Sequence, residues 1–556
     1  MSDLSNQQIN QTFAGLLQVP GGITSTLKTV QDGNGNPTGL QISSSGASVT
    51  TSDTFVASQS GIQFAGAVPR LISDGIGDVV SIKDFGATGD GSDVTTIFNT
   101  AIDYAIANKK RLHIPAGRYV ISSTVTKTIT GYGSLHISGD GGNLTIIELN
   151  TGGNGLNFNL IGVAGNYWID LPPGNVGVHI SSLTFTTTNV NVGTGVTING
   201  NCFAGRPMPE ISLVNVEFRA KNSSTQFWAT ACALVNCSGM LVQACRFYMG
   251  GASNTTSNGL SIYGDSATNM PSACFITNCN FLYGNVQILL GDYFEGAYIT
   301  QCSMVAGEIG IQKSSPSVEA GVHVIGGHIS CSQHCLDLAN MTDFEIVGAL
   351  LYSSGTVNNF SAIRLTNVAR FNISGNVIKG SGAPSLVESG VQIVSSQTAD
   401  RMGAYIGGNS FNYFTNSPSF TNRAIWLQAD ANLIFIGENA YSDCDRRIYN
   451  QSTTSNNGFT PRVYSIRAVV PITGGSTVEY FNITLPTGLF NVVPAAGVCQ
   501  AQSGTEMSVS AVYRHDSSTT TTAQFTARNP SGGVLVGNPN YVFSIVLYED
   551  VYASIS

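Results

Sequence analysis

Two Gly-Asp dipeptides, Gly264–Asp265 and Gly291–Asp292, each follow a short apolar strand pattern, NGLSIY and NVQILL. If those strands are neighbours, the two carboxylates stack. Repulsion then raises one pKa, leaving an acid beside an ionised partner. That is the equipment of proton-transfer chemistry. The plain alternative is a pair of solvated turn aspartates, for which Gly-Asp is a common sequence. Glu295, Glu308 and Asp337 lie in or beside short connecting segments. Asp337 falls in an outward column with Gln312 and Arg364, as a reacting group or as half of a surface ion pair. His323 falls outward beside Glu345, with His328 and His334 close by in sequence. With Arg364 or Lys313 these histidines offer a base and a cation, which abstraction of a proton next to a carboxylate requires. A surface His–Glu pair accounts for the same residues without chemistry.

These residues need a scaffold, and composition narrows it. Only 10% of the 556 residues are charged, against about 25% in typical domains. Gly, Ser, Thr and Asn are abundant, a mix that favours strands and turns. The length suggests two to four units. A net charge of −9 argues against a nucleic-acid partner, which needs a basic face. No run of 18 apolar residues exists to insert in a membrane. The opening MSDLSNQQINQTF lacks the basic and apolar regions of a secretory signal.

Eleven cysteines make an odd number, with no paired CxxC pattern. Cys331 and Cys335 with His328 and His334 are a weak zinc pattern. Buried reduced thiols are the favoured reading, and no metal or cofactor is expected. The stretch DFGATGDGSD, residues 84–93, gathers Asp84, Asp90 and Asp93 among glycines. A calcium loop needs alternating oxygen ligands and a Glu at position twelve, where this chain has Thr95. The aspartates are therefore expected to shape a turn, with Asp93 or Ser92 capping a helix whose apolar face is Val94, Ile97, Ala101, Ile102 and Ala105.

A motif repeats through the middle of the chain. It ends in a large apolar residue, at Phe185, Phe218, Phe247, Phe281, Met304, Ile329, Leu351, Ile378, Phe411 and Tyr441. Units of 22–34 residues with short alternating strands cannot bury an apolar face alone, but stacked they share one core. The expected architecture is a parallel β-helix of ten coils, with Cys245, Cys279, Cys302, Asn376, Asn409 and Asn439 in one inward column. Coils are long before Phe281 and after Leu351 and short between. Long coils should wall a groove whose floor is the short ones, on a side that the sequence does not reveal.

The segment VVSIKDFGATGDGSDVTTIFNTAIDYA, followed by LHIPAGRYVI, resembles the opening signature of the pectate-lyase-like right-handed β-helix superfamily. It is especially similar to bacteriophage tailspikes. The resemblance implies an all-β chain: a right-handed parallel β-helix over 77–460 with an N-terminal capping helix, a virion-attachment segment over 1–76, and a C-terminal antiparallel β-domain over 461–556 that reads as a small sandwich. It also implies a homotrimer in the virion tail, made in the host cytoplasm and joined to a tail or adaptor protein through 1–76. The implied substrate is bacterial surface polysaccharide. Glycoside hydrolysis uses two carboxylates about 5 Å or about 6.5–9.5 Å apart. Asp265, Asp292, Glu295, Glu308 and Asp337 are the candidates, with Trp228, Tyr263, Tyr293, His323, Arg364 and Trp426 as substrate contacts. A lyase acting on uronic acids and a non-catalytic adhesin remain alternatives. The calcium-binding aspartates and catalytic arginine of true pectate lyases have no match here.

Overall fold

The computed structural model describes 28–31, 37–43 and 46–49, most of 78–459, and the strand residues beyond. Left out within 78–459 are 131–132, 162–175, 201–209, 223, 252–255, 268–269, 355–357, 384–385, 397–403, 416–421, 432–433 and 452–457. The chain forms two units, 1–79 and 80–556. In the first, Lys28–Gln31, Pro37–Ser43 and Gly46–Val49 make a three-stranded antiparallel sheet. Most of the expected attachment segment lies outside the described residues.

In the second unit the chain winds through three parallel sheets, here faces A, B and C. Face A strands of complete coils begin at residues 111, 134, 177, 210, 240, 272, 295, 319, 341, 368, 404 and 434, so twelve complete coils are described, with Val79–Ser81 and Gly458–Phe459 extending the face at either end. The ten closing residues read from the sequence form one unbroken ladder on face B. The ladder starts two coils earlier than expected, with Tyr119 and Ile147. Phe218, Phe247 and Phe281 stack at centroid separations of 5.1 and 4.7 Å. Each is buried, worth about 2–3 kcal/mol of transfer free energy. One slipped residue would turn this whole set outward, so the ladder also sets the register.

The inward column of cysteines and asparagines occupies the corner between faces A and B. Cys245, Cys279 and Cys302 donate to the carbonyls of Leu213, Val242 and Ile276, at 3.3, 3.4 and 3.6 Å. Further along, Asn376, Asn409 and Asn439 donate to Ile346, Ile373 and Ile406 at 3.0, 2.9 and 3.2 Å. Asn376 also donates to Asn409, and Asn409 to Asn439. Thiol and amide thus satisfy the same buried corner carbonyl, which would otherwise be costly.

The segment 84–93 does structural work. Asp84 and Ser81 form a capping box on a 3-10 turn, Ile82–Phe85. Asp90 accepts from the Ser92 amide at 2.9 Å. Asp93 accepts from the amide of Thr95 at 2.9 Å and from the hydroxyl of Ser122 at 2.5 Å. It caps the helix Thr95–Ala107 one residue ahead of the formal cap, Val94. Phe98, Ala101, Ile102 and Ala105 are the helix's buried residues and join the β-helix core. Phe98 was not on the expected face.

Beyond 460, six strands between Val463 and Tyr548 form a single antiparallel sheet. The sequence pattern suggested a two-sheet sandwich. The hydrogen bonding instead runs through all six strands, including Ala496–Ala501, which the pattern did not announce.

Candidate active site

Coil length locates a notch. At the corner from face B to face C, the connections of coils 3–5 span 188–193, 221–229 and 249–257. Those of coils 9–11 span 354–359, 380–387 and 415–422. Between them, coil 6 turns in 283–285, and coils 7 and 8 bend within the strands Ser303–Lys313 and His328–Val347. At the B–C corner the short coils that floor the notch are these three; at the corner from face C to face A the connections 162–176, 200–209, 264–271 and 396–403 are long as well, and coils 8 and 9 pass that corner within a strand.

Glu308 sits on that floor. Its coil bulges there, with the register shifting on either side of Gly307 and Ala306 at φ 57°. Gly307 rides on the buried Gln287. A Cβ there would lie 2.8 Å from the Gln287 amide, which donates to Tyr283 and Val305 carbonyls at 3.3 and 3.0 Å. The bulge re-aims the next side chain, as bulges do. Glu308 is half-buried and accepts one hydrogen bond, 3.0 Å from the Gln333 side chain. Burial raises its pKa above the ordinary carboxyl value. Asp90, Asp93, Glu148, Asp292 and Asp343, all surrounded by donors, shift the other way. A half-buried carboxyl with its pKa raised suits a general acid.

The Gly-Asp pair does not assemble. Ile262 aligns with Leu290, so Gly264 meets Asp292, donating to its carbonyl at 2.8 Å. The two side chains are one residue out of step at the corner from face C to face A. Asp265 accepts from Asn236 of the preceding coil at 2.9 Å. Asp292 accepts from the hydroxyl and amide of Ser317 in the following coil. Burial alone would raise the Asp292 pKa, but the Ser317 and Ser315 bonds and Lys313 outweigh it and the net shift is down. Lys313 is itself fully buried, its ammonium held by Ser315 and Ser317, and is not available to a substrate. Tyr263 and Tyr293 stand at this same corner. Tyr263 is half-buried, with its pKa raised by burial; Tyr293 has φ 53°.

The other candidates are dispersed. Glu295 is exposed at the start of a face A strand. Asp337 aligns with Gln312 and Arg364 on face C, and its carboxylate is 3.4 Å from the Arg364 guanidinium. His323 meets Glu345 at 3.3 Å on face A. His328 is on face B, stacked on Tyr352 at 5.0 Å, and His334 begins face C, bonded to the Ser361 carbonyl at 3.3 Å. The three histidines therefore do not converge. Trp228 is a correction: it is fully buried, edge-on to Phe218 and Phe227, and offers no ring face to a ligand. Trp426 lies on face C with its indole bonded to Gln451 at 2.9 Å. Cys331 and Cys335 are buried free thiols, and no group of three or more metal-ligating side chains occurs among the described residues. Sequence reasoning missed Gln333 and Gln287, which position Glu308; only the coil lengths pointed toward them.

Residues 79–312 match the family model described as rhamnogalacturonase A/epimerase, pectate lyase-like. This bears out the superfamily resemblance over that segment. No curated protein matches the chain in sequence. Similar solved structures include a double mutant of the tailspike protein of E. coli bacteriophage HK620, at 14% identity and a TM-score of 0.44, covering 88% of this chain and 96% of that one. The tailspike protein gp49 from Pseudomonas phage LKA1 is similar at 12% identity and a TM-score of 0.44, covering 84% and 99%. The A-module of the mannuronan C-5 epimerase AlgE4 from Azotobacter vinelandii is similar at 14% identity and a TM-score of 0.33, covering 69% and 100%.

Proposed function

We propose that this chain is a phage tailspike that binds and cleaves bacterial surface polysaccharide by endo-glycosidic hydrolysis, with Glu308 as the proton donor. The observation that carries the assignment is the position of Glu308: a half-buried carboxyl with a raised pKa, on the floor of a notch between long-looped coils. Asp337 is the companion carboxylate in this reading. Glu308 lies in the register shift opposite Ser332 and Gln333 of the next coil, and Asp337 follows beyond the bend on face C. Asp265 and Asp292 keep turn-shaping roles.

In the same proposal, residues 1–76 join the protein to the tail or an adaptor, three copies associate through the β-helix of 77–460, and 461–556 supports the trimer or adds glycan contacts. No helix among the described residues is long and apolar enough to cross a membrane.

Two alternatives each have an observation in favour. The salt link and hydrogen bond that engage Asp337 suit a glycan-binding adhesin without cleavage. The His323–Glu345 pair suits a lyase. Incubating the protein with surface polysaccharides of candidate hosts, following polymer length and ultraviolet absorbance, separates them. Shorter chains without absorbance support the hydrolase, and shorter chains with the absorbance of an unsaturated uronate support the lyase. Binding at unchanged length leaves the adhesin.

A further inference from the structure

The last two coils carry a second feature on face C, where Arg423 directly follows the 415–422 connection. Arg423 and Arg446 are register partners on adjacent strands, and so are Trp426 and Tyr449. The Arg423 guanidinium lies 4.0 Å from the Trp426 ring centre and 4.8 Å from that of Tyr449. Arg446 lies 4.6 Å from Tyr449. Gln451 ties the aromatics together, accepting from the Trp426 indole at 2.9 Å and donating to the Tyr449 hydroxyl at 3.0 Å.

Two things are unusual about this cluster. Parallel register places the two arginines on strands about 4.8 Å apart, yet among the described residues neither has a carboxylate within ion-pair distance. Arg364 and Arg370, on nearby coils, are each matched to an aspartate. The Arg423 Nε is also buried with no hydrogen-bond partner. Burial lowers the Arg423 pKa, and the charge of Arg446 lowers it further. Like charges held together beside an unused buried donor are costly unless an anion completes them.

We infer that Arg423, Arg446, Trp426 and Tyr449 form a subsite for an acidic sugar. The guanidiniums take the carboxylate, whose planar geometry they match, and the aromatic edges take the apolar side of the ring. The inference rests on the polysaccharide-binding reading above and adds the substrate's chemical class: a polymer that carries uronic or similarly acidic residues.

The full-length protein is titrated with oligogalacturonate, oligomannuronate and hyaluronan oligomers, and with methyl-esterified oligogalacturonate as a neutral twin. The readout is tryptophan emission. The chain has three tryptophans, so comparison with Trp426→Phe isolates the signal of Trp426. At least one acidic oligomer should shift that signal. Binding should weaken at least tenfold in Arg446→Gln, in Arg423→Gln and in the ester, and should fall with added salt. Arg446 is exposed, so its variant should keep the fold, as its melting temperature will show. Equal binding of the ester, unchanged binding in both arginine variants, or no response to any acidic oligomer would overturn the subsite. Failure of the cleavage reading is separate: it appears as unchanged polymer length whatever the emission does.

Discussion

The two corners that bound face C are built from the same kinds of residue and do opposite things. At the exit corner, leading to face A, Asp265 and Asp292 are each drawn into hydrogen bonds with a neighbouring coil, and donors hold the Asp292 carboxyl below the usual range. At the entry corner, from face B, Glu308 has one amide donor and partial burial, and its carboxyl is pushed up. The difference is the number of donors. A turn rich in serine takes up the charge of an aspartate and becomes rigid. A corner closed by Gly307 on a buried glutamine leaves a carboxyl with one donor and a raised pKa. In the proposed reaction, reactivity depends on what the corner withholds from the carboxylate.

The strongest way to break this contrast is Glu308→Gln. It should lower cleavage by about 10²–10⁴-fold with the melting temperature kept, since the amide fills the same space. Reducing-end release and a thermal melt check both halves, and cleavage at the parent rate would remove Glu308 from the chemistry. Next in size, Asp292→Ala should cost about 1–2 kcal/mol at neutral pH through the lost serine bonds, with cleavage retained. A denaturant titration reads it.

The two carboxyls should also give opposite pH slopes. The folded-state pKa of Asp292 is depressed, so its contribution is present above the unfolded value of about 3.8 and is lost as pH falls through the folded pKa. The folded-state pKa of Glu308 is raised, so stability falls as pH rises from about 4.5 through the folded pKa, and Glu308→Gln should flatten that segment. Cleavage, needing the protonated acid, should decline over the same interval as stability. Parallel stability slopes in the two variants would contradict the contrast. The smallest effect is expected for the stability of Asp337→Asn: the half-exposed pair with Arg364 should change the melt by no more than about 0.5–1 kcal/mol. If Asp337 activates the water, the same variant loses cleavage while barely moving the melt.

The β-helix was legible because its repeat is written in side chains that must stack. Phe185 to Tyr441 could be aligned by eye, since each closes a coil at the same place. The coil closed by Ile147 has Thr145 and Ile146 where the motif has Cys, Asn or Gly and a polar residue, and the one closed by Tyr119 follows Gly117 directly behind the cap; both were missed. The groove was legible as coil length, but its side depended on where each coil bends, which turn conformations such as φ 57° at Ala306 decide. Asp265 and Asp292 looked paired because both follow Gly; a one-residue offset across coils undid the match. Trp228 looked like a ligand platform because aromatic rings stack on sugars, yet it is buried edge-on against Phe218 and Phe227. Side-chain destination within a connection is a packing result, and periodicity carries no information about it.

The thiol column has a consequence outside folding. Oxidants and metal ions attack thiolates, and these are nearly absent here at neutral pH. The Cys279 thiol is pushed up to about 12, chiefly by its hydrogen bond with Cys245 and further by burial, and burial pushes Cys444 to about 11. Cys232 and Cys302 are raised further still. The buried thiols among the described residues should therefore withstand exposure to air without a reductant. The coil that hides sulfur for packing also makes it chemically inert.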